Sequence, residues 1–179
     1  MNKTSLSTKD IAYIAVFAAV IAICSWISIP TTVPFTLQTF AIFLTCMVLG
    51  GKKGTFAVLI YVLLGAIGIP VFAGFSGGLG VLLGTTGGYI IGFIASALII
   101  WAFEKVSDKI WMTAIGMILG LLACYAIGTV WFMVVFAKSS GAVGLMTVLG
   151  WCVFPFIIPD LIKTVLALVL GTRLKKLVK

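Results

Sequence analysis

A chain of 179 residues that is 63% hydrophobic and 9% charged, with a mean hydropathy of +1.32, is not a soluble domain. Such domains run at about 45–50% apolar and roughly 25% charged, so the surface of this protein must largely face lipid. The formal net charge of +8 does not mark a nucleic-acid binder either, because the cations punctuate hydrophobic segments and form no basic run beside polar or aromatic readers.

A membrane-spanning helix needs about 20 apolar residues. Residues 11–29 supply the first. Met1-Asn-Lys3 ahead of them invites a signal-peptide reading. The apolar run is too long for an h-region of about 7–15 residues, however, and no small-x-small cleavage site follows it. Pro30 to Gln38 is proline-broken and uncharged, hence a loop or short re-entrant piece. Residues 38–50 form a short second span, closed by the tight basic turn Gly51-Lys52-Lys53-Gly54. Residues 55–69 form the third, ended by Pro70.

The stretch 71–84 (VFAGFSGGLGVLLG) is too glycine-dense for a simple helix. Residues 85–103 make the fourth span, followed by the charged turn Glu104 to Lys109. Residues 110–137 make a fifth, roughly 42 Å long at 1.5 Å per residue, which should tilt or protrude. Lys138-Ser-Ser-Gly141 breaks it. The sixth, residues 159–172, ends in the basic tail Arg173 to Lys179.

Residues 143–158 are apolar enough to cross as well, and the distribution of charge decides against it. With six spans, Lys3, Lys9, Lys52, Lys53, Lys105, Lys109, Arg173, Lys175, Lys176 and Lys179 share one side, and only Lys138 lies on the other. Cytoplasmic loops collect Lys and Arg, so both termini are predicted to be cytoplasmic. Residues 143–158 then become a kinked extension of the last helix or a piece folded against the bundle. The predicted fold is an all-α, single-domain bundle of six transmembrane helices.

Asp160 and Lys163 are the two charges placed squarely inside an apolar, membrane-length segment. Three residues apart, they share a helix face. A lone Asp or Lys at the bilayer centre costs roughly 2.5–3.5 kcal/mol, so such residues face a cavity or each other. The bland reading is an ion pair that pins the helix. A purely structural pair is replaceable by apolar residues at little cost, which favours a ligand site. On six spans the pair lies in the extracellular half, beneath the two uncharged loops 30–38 and 70–84.

Thr36, Gln38, Thr39, Thr85, Thr86 and Tyr89 are further polar groups near the outer ends of spans two and four, each by itself an ordinary cap or interfacial anchor. Gly80, Gly84, Gly88 and Gly92, and Gly116 with Gly120, follow the small-x-x-x-small spacing that lets helices approach closely in lipid. Beyond packing, Gly77-Gly78, Gly80 and Gly87-Gly88 are expected to offer backbone amides to a ligand. Ala12, Ala15, Ala18, Ala19 and Ala22 make a flat stripe on span one, either internal packing or a docking face. Cys24, Cys46, Cys124 and Cys152 are scattered packing residues. The lack of any histidine, nucleotide motif or serine–base arrangement, with only four acidic residues, argues against a metal site and against hydrolytic or metal catalysis.

Four motifs in order resemble one family across essentially the whole chain: Pro34-Phe-Thr-Leu-Gln38-Thr-Phe, Gly68-Ile-Pro70-Val-Phe-Ala-Gly74-Phe, Gly77-Gly78-Leu-Gly80-Val-Leu-Leu-Gly84-Thr-Thr-Gly87-Gly88-Tyr89, and Phe154-Pro-Phe-Ile-Ile-Pro-Asp160-Leu-Ile-Lys163. They are similar to the BioY family, the biotin-specific S components of energy-coupling factor (ECF) transporters. The resemblance implies a six-helix S-component fold in the bacterial plasma membrane that binds biotin at its outer half. It implies docking onto a transmembrane coupling subunit and two cytoplasmic ATPases, with no cofactor beyond the transported ligand. Ala15 and Ala19 match the family's A-x-x-x-A docking motif, with Ala18 and Ala22 as the alternative register.

Biotin carries a ureido ring with two N–H donors and a carbonyl, fused to an apolar thioether ring with a carboxylate tail. The implied roles are Asp160 accepting from the ureido N–H groups and Lys163 meeting an acceptor oxygen, either the carbonyl or the tail. Gln38, Tyr89, Thr86 and Gly78 complete the polar contacts, and Phe35, Phe75 and Trp151 cover the apolar ring. The competing readings are a self-sufficient secondary transporter or channel using the buried pair as a proton relay, and a small intramembrane enzyme.

Overall fold

The computed structural model of the chain describes residues 6–178; Lys3 and Lys179 lie outside the described residues. Eight α-helices appear among them: α1 (Thr8–Trp26), α2 (Gln38–Leu49), α3 (Gly51–Ala66), α4 (Leu79–Leu83), α5 (Gly87–Val106), α6 (Ile110–Ser140), α7 (Leu145–Cys152) and α8 (Phe154–Val178). Thr8–Trp26, Gly87–Val106, Ile110–Ser140 and Phe154–Leu177 are long and apolar enough to cross a membrane, and Gln38–Leu49 is apolar but shorter. The protein is a multi-pass membrane protein.

Local chemistry sets the boundaries. α1 starts before the apolar run because Ser7 and Asp10 form a reciprocal capping box. It stops at Trp26, where Ser28–Ile29 (β1) pairs antiparallel with Phe35–Thr36 (β2) across the Pro30–Pro34 turn. The glycine-rich stretch breaks into a single 3-10 turn, Ala73–Phe75, and the short α4. α6 is about 46 Å long at 1.5 Å per residue.

Residues 145–152 form a separate short helix folded against the bundle, and residues 154–158 are the first turn of α8, which runs on through Pro159. α7 packs on α6 and α8, with Trp151 edge-on to Phe136 at 6.0 Å between ring centroids. Val153 then breaks the helix before α8 begins.

α2 is the centre of the bundle. Every residue from Ala41 to Leu49 is buried, and α1, α3, α5 and α8 all pack on it. A helix that is apolar all round finds its place inside. α5 and α6 approach closely through small residues. Gly92 faces Cys124, Gly120 faces Ser96, and the Ser96 hydroxyl donates to the Gly120 carbonyl at 2.7 Å. This is the close packing that the glycine spacing predicts.

One end of the bundle gathers charge. Lys9, Asp10, Lys53, Glu104, Asp108 and Lys175 line a cavity of about 540 Å³ there. Lys53 pairs with Asp10, and the Glu104 carboxylate accepts from the Gly51 amide at the start of α3. Asp160 lies about 22 Å further along α8 from Lys175, towards the opposite end.

Candidate functional site

Opposite the charged end, α2, α5, α6 and α8 and the loops 30–37 and 70–86 enclose a cavity of about 150 Å³. Asp160 and Lys163 are 3% and 6% exposed, and they are the only charged side chains among the described residues that line it.

The Lys163 ammonium donates to Asp160 Oδ1 at 2.8 Å and to the Thr36 carbonyl at 2.8 Å. It also sits 4.0 Å above the centre of the Phe35 ring, a cation–π contact. The β1–β2 ribbon puts these last two partners in place. It fixes Phe35 and Thr36, and the Leu37 amide ties the ribbon's end to the Cys24 and Ile27 carbonyls at the foot of α1. The second carboxylate oxygen, Asp160 Oδ2, accepts from the Tyr125 hydroxyl at 2.6 Å. A buried ion pair survives when hydrogen bonds satisfy the remaining valences, and here both partners are so supplied.

A second chain of hydrogen bonds lines the wall beside the pair. The Thr36 hydroxyl donates to Gln38 Oε1 at 2.8 Å, and Gln38 Nε2 donates to the Tyr61 hydroxyl at 2.6 Å. Across the cavity, the Tyr89 and Thr129 hydroxyls lie 3.5 Å apart. Among the described residues no buried side-chain nitrogen or oxygen lacks a partner. What remains spare is acceptor capacity: each Asp160 oxygen has one partner and room for another, as does the Tyr125 oxygen. The apolar part of the cavity wall includes Phe72, Phe93 and Phe156.

Of the residues singled out from sequence, Asp160, Lys163, Gln38, Thr86 and Tyr89 all line this cavity. Phe35 does not line it but packs beneath the ammonium, with its ring 5.7 Å from that of Phe156. Three others fall elsewhere. Phe75 is 64% exposed, in a left-handed backbone conformation (φ 56°), and stacks on Trp26 at 4.9 Å, outside the cavity. Gly78 starts α4 and spends its amide on the Gly65 carbonyl. Trp151 is partly exposed and packs its ring on Phe136 of α6, outside the cavity.

Tyr125 was not foreseen. The signal was available: a tyrosine in the middle of the longest apolar run cannot reach the interface, so its hydroxyl needs an internal partner.

The alanine stripe splits between two faces. Ala18 and Ala22 are buried and pack inside the bundle, while Ala12, Ala15 and Ala19 are exposed. The four cysteines are free thiols.

Comparison with known proteins gives a consistent result. The model of the BioY family matches residues 1–179. A biotin transporter BioY of Thermotoga maritima is 47% identical over 166 residues, covering 90% of this chain and 93% of that protein. A probable biotin transporter BioY of Pyrococcus horikoshii is 41% identical over 174 residues, covering 95% and 98%. The crystal structure of the S-component for biotin from an ECF-type ABC transporter superposes with a TM-score of 0.82 at 30% identity, covering 96% of this chain and 95% of that one.

Proposed function

The chain belongs to the BioY family, and we propose on that footing that it is the substrate-binding S subunit of an ECF-type transporter and captures biotin for uptake. Its relatives are named transporters and its structural neighbour is a transporter component; the chain is not an enzyme, and biotin is cargo, not cofactor.

The observation that carries the ligand assignment is the Asp160–Lys163 pair, which sets a buried acceptor beside a buried donor. One edge of a cyclic urea carries an N–H beside a C=O, the complementary pattern. Asp160 accepts the N–H through a spare lone pair. Lys163 meets the carbonyl as its third N–H leaves the Phe35 ring. Gln38, Thr86 and Tyr89 line the remaining polar wall, and Phe72, Phe93 and Phe156 take the thioether ring.

The membrane arrangement follows from the same charges. α1, α2, α3, α5, α6 and α8 cross, with α7 folded at the outer end and both termini in the cytoplasm of a bacterium. The gathering of Lys9, Lys53 and Lys175 at one end supports this. The exposed Ala15–Ala19 face of α1 is the docking surface for a transmembrane coupling subunit, which brings two ATPases; this chain has no nucleotide motif of its own.

Equilibrium binding of labelled biotin to the purified chain tests the assignment, and saturable binding at one site is expected. Proteoliposomes test the partnership. Accumulation should require the coupling subunit and ATPases, whereas ion-driven accumulation by this chain alone would make it a self-sufficient transporter.

A further inference from the structure

We infer that residues 67–84, the outer connection between α3 and α5, lie within the outer leaflet and present their exposed side chains to lipid acyl chains, not to water. This rests on the membrane arrangement proposed above and adds a lipid-contact surface to it. Length is the first reason. α3 (Gly51–Ala66) rises about 24 Å at 1.5 Å per residue, and α5 rises about 26 Å from Gly87 to Glu104, the first charge on it. Both fall short of a hydrocarbon core of about 30 Å. The chain that joins them therefore begins and ends below the outer boundary of that core.

The surface chemistry agrees. No charged residue occurs between Lys53 and Glu104. Every exposed residue from 67 to 84 is apolar or glycine, and Ile67, Phe75, Leu79 and Leu83 are 75%, 64%, 63% and 67% exposed. Leu79 and Leu83, four apart on α4, form one outward face. Phe75 keeps its ring outside, stacked on Trp26, in a left-handed backbone conformation that is uncommon for a bulky residue. Water penalises such a surface, and an acyl environment does not.

The third observation is how the backbone is satisfied. Irregular chain at membrane depth needs its amides and carbonyls paired internally. The amides of Gly68, Ile69, Val71, Phe72 and Gly78 all donate to carbonyls within residues 64–76. Side chains from α1 and α6 take up carbonyls of the loop. The Trp26 indole donates to Pro70 at 2.9 Å, the Ser25 hydroxyl donates to Val71, and the Trp131 indole donates to Gly84 at 2.9 Å. A solvated loop has no need of such partners, because water supplies them. Ala73, Ser76 and Val81 of the same segment line the cavity, so a single layer of chain separates it from lipid on this side.

The test is paired footprinting of the purified full chain in phospholipid vesicles at high lipid ratio, read residue by residue by mass spectrometry. One probe is a carbene released by light from a diazirine that partitions into acyl chains. The other is hydroxyl radical made from water by X-rays. Leu161, Ile162 and Val165 on the outward face of α8 serve as the lipid reference, and Leu177, 80% exposed in the basic tail, as the water reference. Ile67, Phe75, Leu79 and Leu83 should take up the carbene as the lipid reference does and lose the oxidation seen at Leu177. Oxidation matching Leu177 would put the loop in water and overturn the inference. Labelling by both probes would put it among the headgroups and overturn its immersion likewise. Protection from both would mean that a second copy of the chain covers the loop, which also overturns it. Absence of carbene from the α8 reference itself would instead sink the membrane arrangement, and this inference with it.

Discussion

The Tyr125 hydroxyl donates to Asp160 Oδ2 at 2.6 Å, on the opposite carboxylate oxygen from the one Lys163 holds. The carboxylate is thus gripped from both sides, by an ammonium on its own helix and by a phenol from α6. Its plane is fixed before any ligand arrives. Hydrogen bonds to charged groups contribute about 1.5–3 kcal/mol. Tyr125→Phe should therefore weaken biotin binding by roughly 10- to 100-fold while the protein still folds. Equilibrium binding checks this, and an unchanged affinity would remove Tyr125 from the site.

The ion pair separates a binding role from a structural one. Asp160→Asn leaves an unmatched ammonium in an apolar interior, and breaking a buried pair in this way costs about 3–5 kcal/mol. Both thermal stability and biotin affinity should fall. The double change Asp160→Leu with Lys163→Met should restore the melting temperature to near the parent, because apolar replacement of a buried pair is often neutral or stabilising. Biotin binding should stay lost in the double variant. Recovery of both together would mean that the pair serves only to pin the helix.

On α1 the two alanine registers predict opposite outcomes. Ala19→Leu adds bulk to an exposed position and should leave biotin binding intact while abolishing co-purification with the coupling subunit. Ala18→Leu overpacks a position that is 3% exposed and should destabilise the bundle itself, by about 1–3 kcal/mol. Thermal unfolding and pull-down of the partner read the two effects separately.

The α5–α6 seam should be equally intolerant of bulk. A Cβ on Gly92 would come within 2.9 Å of the Cys124 Cα, a backbone atom that cannot swing aside. Gly92→Val is expected to lower the melting temperature sharply. Gly80→Ala, where a Cβ meets open space, should leave it unchanged.

Polarity inside an apolar run was what the sequence disclosed best. Asp160 and Lys163 stand out because their burial is costly, and Gln38, Thr86 and Tyr89 because they cluster at the outer ends of two spans. The apolar half of the cavity was harder to read. Phe75 and Trp151 are as aromatic as Phe93 and Phe156, and only helix phase and loop path decide which rings turn inward.

The burial of α2 was hidden for a related reason. A side chain facing lipid and one facing protein are chosen from the same apolar set, so Gln38–Leu49 reads like any short span. The glycine repeats revealed close packing but not the partners. Gly88 and Gly92 are engaged with α6, whereas a Cβ at Gly80 would meet open space. Likewise the alanine stripe could be assigned to a face only once Ala18 and Ala22 were seen inside.

The encasement of α2 from Ala41 to Leu49 bears on how this chain tolerates change. Each peripheral helix has a lipid-side strip where Leu, Ile, Val and Phe interchange freely; from Ala41 to Leu49 there is none. In a saturation-mutagenesis screen these nine consecutive codons should stand out as an unbroken block of intolerance, without the three-to-four-residue rhythm of permissive sites that the surrounding helices display.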